Sequence, residues 1–160
     1  MKREFLKGFT MLVLVVTLAL TLAVVSANGQ STANRVVANV PFEFSVGYKA
    51  LPAGEYSVQS IASANGLLIQ STDGKTSALR LSDATGRIKE KPKAHLVFHR
   101  YGERYFLAEV WNGVDNTGRQ LLRSQEERAI ESELRLASAR ENAHAPSVIY
   151  ETVEVVAILR

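Results

Sequence analysis

From Arg35 onward the chain alternates apolar and polar residues over short runs, separated by glycine, asparagine and proline. That is the pattern of half-buried β-strands joined by tight turns. Residues 35–40 lead into 41–46, where Phe42, Phe44 and Val46 fall on one strand face and Glu43 and Ser45 on the other. Pro52-Ala53-Gly54 supplies a turn, because proline presets φ and glycine accepts positive φ; Tyr56 and Val58 then resume the alternation. Asn65-Gly66 predicts a tight hairpin connection between Ile61 and Leu67, and Asp73-Gly74 predicts another before Thr76. A polar, basic loop is expected over 83–93, and one more strand over 119–123.

Residues 95–111 hold two of the three histidines and the single tryptophan. Two β-rich runs flank Gly102-Glu103, and glycine first in a two-residue loop suits a type II′ hairpin. That turn sets Phe98 opposite Leu107, His99 opposite Phe106, Arg100 opposite Tyr105 and Tyr101 opposite Arg104. Both faces of the hairpin carry apolar groups, which predicts an interior position in the sheet.

The period changes at Ser124-Gln125-Glu126-Glu127, a capping box in which the serine accepts from the Glu127 amide and the Glu127 carboxylate reaches back. Ala129, Ile130, Leu134 and Ala137 follow at helical spacing, predicting one amphipathic helix over about 125–141. Glu126 and Glu127 suit its positive end, Arg135 and Arg140 its negative end, and Glu131 with Arg135 makes an i,i+4 pair. The helix charges read as a solvated face. Ala145-Pro146 ends the segment, and the near-continuous apolar run 153–159 predicts a last strand in mid-sheet, buried on both faces. The fold class that follows is mainly β: an antiparallel sandwich or flattened barrel of about seven to nine strands with one helix in the C-terminal half.

The first 27 residues change the picture of where this domain works. Lys2, Arg3 and Lys7 precede an apolar run, which ends in the small residues Ser26 and Ala27 before a polar stretch. These are the parts of a secretory signal peptide cleaved after Ala27. Residues 28–34 then form a flexible lead-in, and 35–160 a single domain. Residues 2–7 resemble the twin-arginine export motif, but lysine replaces its first arginine, so the general secretory route is expected. The destination is periplasmic or extracellular. The totals of 19 Lys+Arg and 16 Asp+Glu fall to 16 and 15 once Lys2, Arg3, Lys7 and Glu4 are removed, so no nucleic-acid partner is implied. Without cysteine there is no disulfide, thiolate metal site or lipid attachment. No stable membrane insertion is expected after cleavage, and strands of barrel-spanning length are too few for an outer-membrane protein.

Two blocks, residues 40–58 and 96–111, together with 124–128, resemble a group of small, uncharacterised secreted bacterial proteins with no assigned activity. The Leu51-Pro52-Ala53-Gly54-x-Tyr56-x-Val58 piece is also similar to a corner of extracellular β-sandwich modules. These resemblances imply an exported β-rich domain and no particular chemistry.

Candidate chemistry is sparse. On a strand, His95 and His99 lie about 13 Å apart, too far to share one ion; the remaining metal set would be one of them with Glu109 and His144, and surface or sheet histidines are the simpler reading. No nucleophile-elbow or Ser-x-x-Lys motif occurs, and Glu43, Glu109 and Glu151 each read as outward strand residues. Neither a cofactor nor an enzyme is indicated. The best-defined candidate face is Arg100, Tyr101, Arg104, Tyr105 and Trp111, where aromatic planes and guanidinium groups would stack on and hydrogen-bond to sugars. Against it stands a reading in which Trp111 fills the core under the tyrosines. The expected function is thus a noncatalytic cell-envelope protein with a structural, accessory or interaction role, its partner a protein or an envelope polysaccharide. A carbohydrate-binding module using the aromatic face is the alternative, and an enzyme of unknown class the third.

Overall fold

The computed structural model describes residues 35–61, 64–86, 93–114, 116–141 and 149–160. The expected signal peptide and lead-in, His144 and Ala145-Pro146, and most of the basic loop lie outside those residues, as does the side chain of Arg140. Ten strands form one sheet: β1 (Arg35–Val40), β2 (Phe44–Val46), β3 (Lys49–Leu51), β4 (Gly54–Ile61), β5 (Gly66–Ser71), β6 (Ser77–Gly86), β7 (Ala94–Tyr101), β8 (Arg104–Asn112), β9 (Thr117–Leu121) and β10 (Glu151–Leu159). The one helix described, α1 (Gln125–Glu141), stands between β9 and β10, at the expected bounds.

Eight strands close on themselves in the order β8-β7-β10-β1-β4-β5-β6-β9, and β9 pairs back onto β8. All eight ladders of this ring are antiparallel. Closure leaves the ring without a free edge, which is how a β protein avoids pairing with its neighbours. The barrel is flattened, with two long strands as its corners. β6 pairs with β5 through Ser77–Leu81 and with β9 through Ser82–Gly86. β10 pairs with β7 through Glu151–Val156 and with β1 through Ala157–Leu159. Strands that pass from one half-sheet to the other are the usual means of turning such corners.

The two short strands are additions to the ring. β2 pairs in parallel with β8 at Ser45 and Phe106, on the edge that β9 occupies further along, and β3 hydrogen-bonds to β2. This hairpin brings Phe44, Val46 and Leu51 into a core shared with Val40, Tyr56, Val58, Leu67, Ile69, Leu96 and Phe98. Phe44 meets Tyr56 and Phe98 edge to face at 5.1 and 5.3 Å, the geometry that ring quadrupoles favour. The Tyr56 hydroxyl donates back to the Pro52 carbonyl at 2.7 Å. That bond ties the strand start to its own turn.

The hairpin register is the expected one throughout, with Phe98–Leu107, His99–Phe106, Arg100–Tyr105 and Tyr101–Arg104 paired. Gly102 takes φ 61° and Glu103 keeps an ordinary negative φ, as a type II′ turn requires. Beyond Phe98 the ladder slips, pairing Val97 with Glu109 and leaving Ala108 as a bulge. The extra residue puts both Leu107 and Val110 into the core, which is why apolar residues occur on both parities of β8.

Four expectations need correction. At the β4–β5 connection Asn65, not Gly66, has positive φ (45°), and Gly66 begins β5 opposite Ile61. Residues 83–86, read as loop, continue β6 because β9 offers them a ladder. β10 is a mid-sheet strand, but its outer face is bare: Val156 is 83% and Ile158 63% exposed. In α1, Ala129, Leu134 and Ala137 are exposed, and the helix is held by a different set of residues.

Candidate functional site

A cluster of titratable side chains forms where the first turns of α1 meet the outer side of β7 and β8. Along β7, Leu96 and Phe98 point into the core, so strand alternation turns His99 and Tyr101 outward. β9 ends at Leu121, and Ser124 starts the helix: its Oγ accepts from the Glu127 amide at 3.0 Å, satisfying one orphan donor of the first turn. The Glu127 carboxylate completes no capping box. It lies against the barrel instead, where Oε1 accepts from His99 Nδ1 at 2.8 Å and from the Tyr101 hydroxyl at 3.4 Å.

Both partners are inside, His99 8% and Glu127 4% exposed. A buried carboxylate requires such donors, because desolvation without them costs several kcal/mol. Tyr150, just before β10, covers the imidazole with ring centroids 4.1 Å apart. Arg123, in the link before α1, donates to the Tyr150 hydroxyl at 3.3 Å and pairs with Glu131 one turn beyond Glu127. Glu131 also takes the expected i,i+4 pair with Arg135 at 2.9 Å. At the rim, Arg104 pairs with Glu126. Glu127 and Glu131 thus turn toward the barrel, while Glu126, Arg128, Glu133 and Arg135 stay exposed as a solvated charged face.

These contacts shape the electrostatics. Burial first, and then the neighbouring Glu127 carboxylate, hold the Tyr101 hydroxyl well above the ordinary phenol range, with Arg123 in partial opposition. Burial on its own would lower the Arg123 pKa, but the hydrogen bond and charge of Glu131 raise it overall. Chemically, the arrangement is a chain of mutually satisfied donors and acceptors that fixes α1 to the sheet.

The five residues expected to share one binding face are divided by the structure. Tyr101 is buried under α1. Arg104 is outside it, on Glu126. Tyr105 faces the other way and stacks on Phe42 at 3.9 Å, against the core. Arg100, across from it, lies 5.6 Å from the Tyr105 centroid and pairs with Glu103 and Glu151. Trp111 is buried, yet outside the main core: it stacks parallel to His95 at 5.8 Å and donates Nε1 to Glu109 at 2.8 Å. Gly118 of β9 lies under its ring so closely that a Cβ there would come within 2.6 Å of Cδ2. An aromatic platform made jointly by these five side chains is thus not formed, because the hairpin sends them to opposite faces and the helix covers one. The two histidines likewise serve separate partners, Trp111 and Glu127.

The sequence shows Ser124 and Glu127 as a cap and misses their part in docking. The only available signal was a histidine and a tyrosine on the outward parity of β7, with nothing apolar between them. No protein-family model, curated protein or solved structure matches the chain.

Proposed function

We propose that this chain is an exported, noncatalytic protein of the cell envelope that acts by holding another envelope protein against its outer surface. The observation that carries this reading is the bare apolar face of β10. Val156, paired with His95 of β7, and Ile158, paired with Val37 of β1, are exposed on the outer side of β10, beyond the polar Thr152 and Glu154 of the same face. Two further features support it. The barrel interior is filled by Tyr56, Phe44 and Phe98 among others, each under 3% exposed, so this fold serves as a scaffold rather than a container. The residues best suited to acid–base work, His99 and Glu127, are enclosed and bonded to each other. The basic n-region, apolar run and Ser26-Ala27 end of the first 27 residues support export.

A photo-cross-linking residue placed at 156 or 158 in cells tests the reading, with position 55 on the exposed part of β4 as control. The expected result is a discrete adduct to one envelope protein from 156 and 158 only. Monomer alone at every position, or turnover of an envelope substrate by the purified protein at enzymatic rates, overturns it.

A further inference from the structure

A second region of the surface has the composition of a ligand site and is separate from the β10 face. Between the β2–β3 turn, the middle of β6 and the head of α1 lies a groove of about 360 Å³, lined by Tyr48, Arg80, Leu81, Leu122, Arg123, Ser124 and Arg128. Its size is that of a small-molecule site. Its chemistry is divided between exposed leucines and guanidinium groups.

The three arginines differ in their pairing. Arg123 is neutralised by Glu131. Among the described residues, neither Arg80 nor Arg128 has a carboxylate partner. Arg80 is nevertheless held in place. Its guanidinium carbon sits 4.8 Å from the Tyr48 ring centroid, and the group fills the space beside Gly47, where a Cβ would overlap it at 1.7 Å. Gly47 has φ 66°, so glycine meets both the conformational and the spatial demand of this turn. A half-buried guanidinium fixed by an aromatic face and a glycine, with no carboxylate beside it among the described residues, is preorganised for an anion: much of the ordering cost of binding is already met.

We propose that this groove binds a small soluble anion with an apolar body, such as an alkyl or aryl phosphate or carboxylate. Arg80 and Arg128 hold the anionic group, and Leu81 and Leu122 line the bed for the apolar part. The test is isothermal titration of the purified protein with octyl phosphate below its micelle concentration, beside inorganic phosphate and octyl glucoside. The expected result is saturable binding of octyl phosphate, on the order of tenfold or more tighter than either comparison compound. Arg80→Gln and Arg128→Gln should each weaken it by about tenfold. Arg80 supports the turn as well as the groove; Arg128 is exposed on the helix, so R128Q reads the site without disturbing the fold. Equal binding by wild type and R128Q, equal affinity for inorganic phosphate, or binding confined to phosphatidylglycerol vesicles would each overturn the proposal. The last outcome would assign the surface to a membrane.

Discussion

The Nδ1 atom of His99 on β7 and the Oε1 atom of Glu127 in the first turn of α1 are 2.8 Å apart, both buried, and 28 positions apart in the chain. This contact joins the helix to the barrel. Around it Tyr101, Tyr150, Arg123 and Glu131 satisfy one another in turn. The apolar spacing of the helix adds little, since Leu134, Leu136 and Ala137 remain exposed.

Tyr101 gives the domain an alkaline limit. Its pKa in the folded state is raised above the ordinary 10.0, so above pH 10 the unfolded chain loses a proton that the folded chain keeps. The stabilisation is complete below pH 10 and falls as pH rises toward the folded value. Urea midpoints measured from pH 8 to 12 should decline steeply above 10. Tyr101→Phe should flatten that decline while changing stability at neutral pH by about 1 kcal/mol or less. An unchanged alkaline slope would assign it elsewhere.

Ser124→Ala removes the acceptor for the Glu127 amide in a buried position. The expected cost is about 1 kcal/mol, the usual worth of an N-cap, seen in chemical denaturation together with faster amide exchange over the first turn of α1. No change in exchange at residues 125–128 would mean that the cap does not hold the docked turn.

Gly118→Ala should displace the Trp111 ring, because the new Cβ would lie 2.6 Å from Cδ2. Gly118 has no positive φ, so the cost is steric, about 1 to 3 kcal/mol. Trp111 is the only tryptophan, and its emission should move to the red as the ring is pushed from cover. Unaltered emission and stability would show that the ring has room to shift.

Local chemistry made much of this fold legible. Gly102-Glu103 determines its hairpin register because turn type and strand register are one geometric condition. Ser124 and the change of period placed α1 within a residue at both ends. Properties that depend on remote neighbours were not legible. The return pairing of β9 onto β8 that closes the barrel leaves no mark in either strand. The run 153–159 suggested burial on both faces, but sequence does not show that the outer side of β10 is uncovered. Glu127 satisfied a four-residue capping pattern, while its carboxylate partner stood 28 residues away. The aromatic face failed for a similar reason: alternation across the Ala108 bulge and the turn separates Tyr105 from Tyr101 and Trp111.

The buried polar cluster fastens α1 to the barrel, and a double-mutant cycle on its two innermost members measures that fastening. His99→Ala and Glu127→Ala should each destabilise the protein by about 3 kcal/mol, since each leaves the other group buried without its partner. The double variant should cost less than the sum by about 2 kcal/mol. Additive losses within about 0.5 kcal/mol would show that the two residues do not act as one fastening and that α1 is held by other contacts.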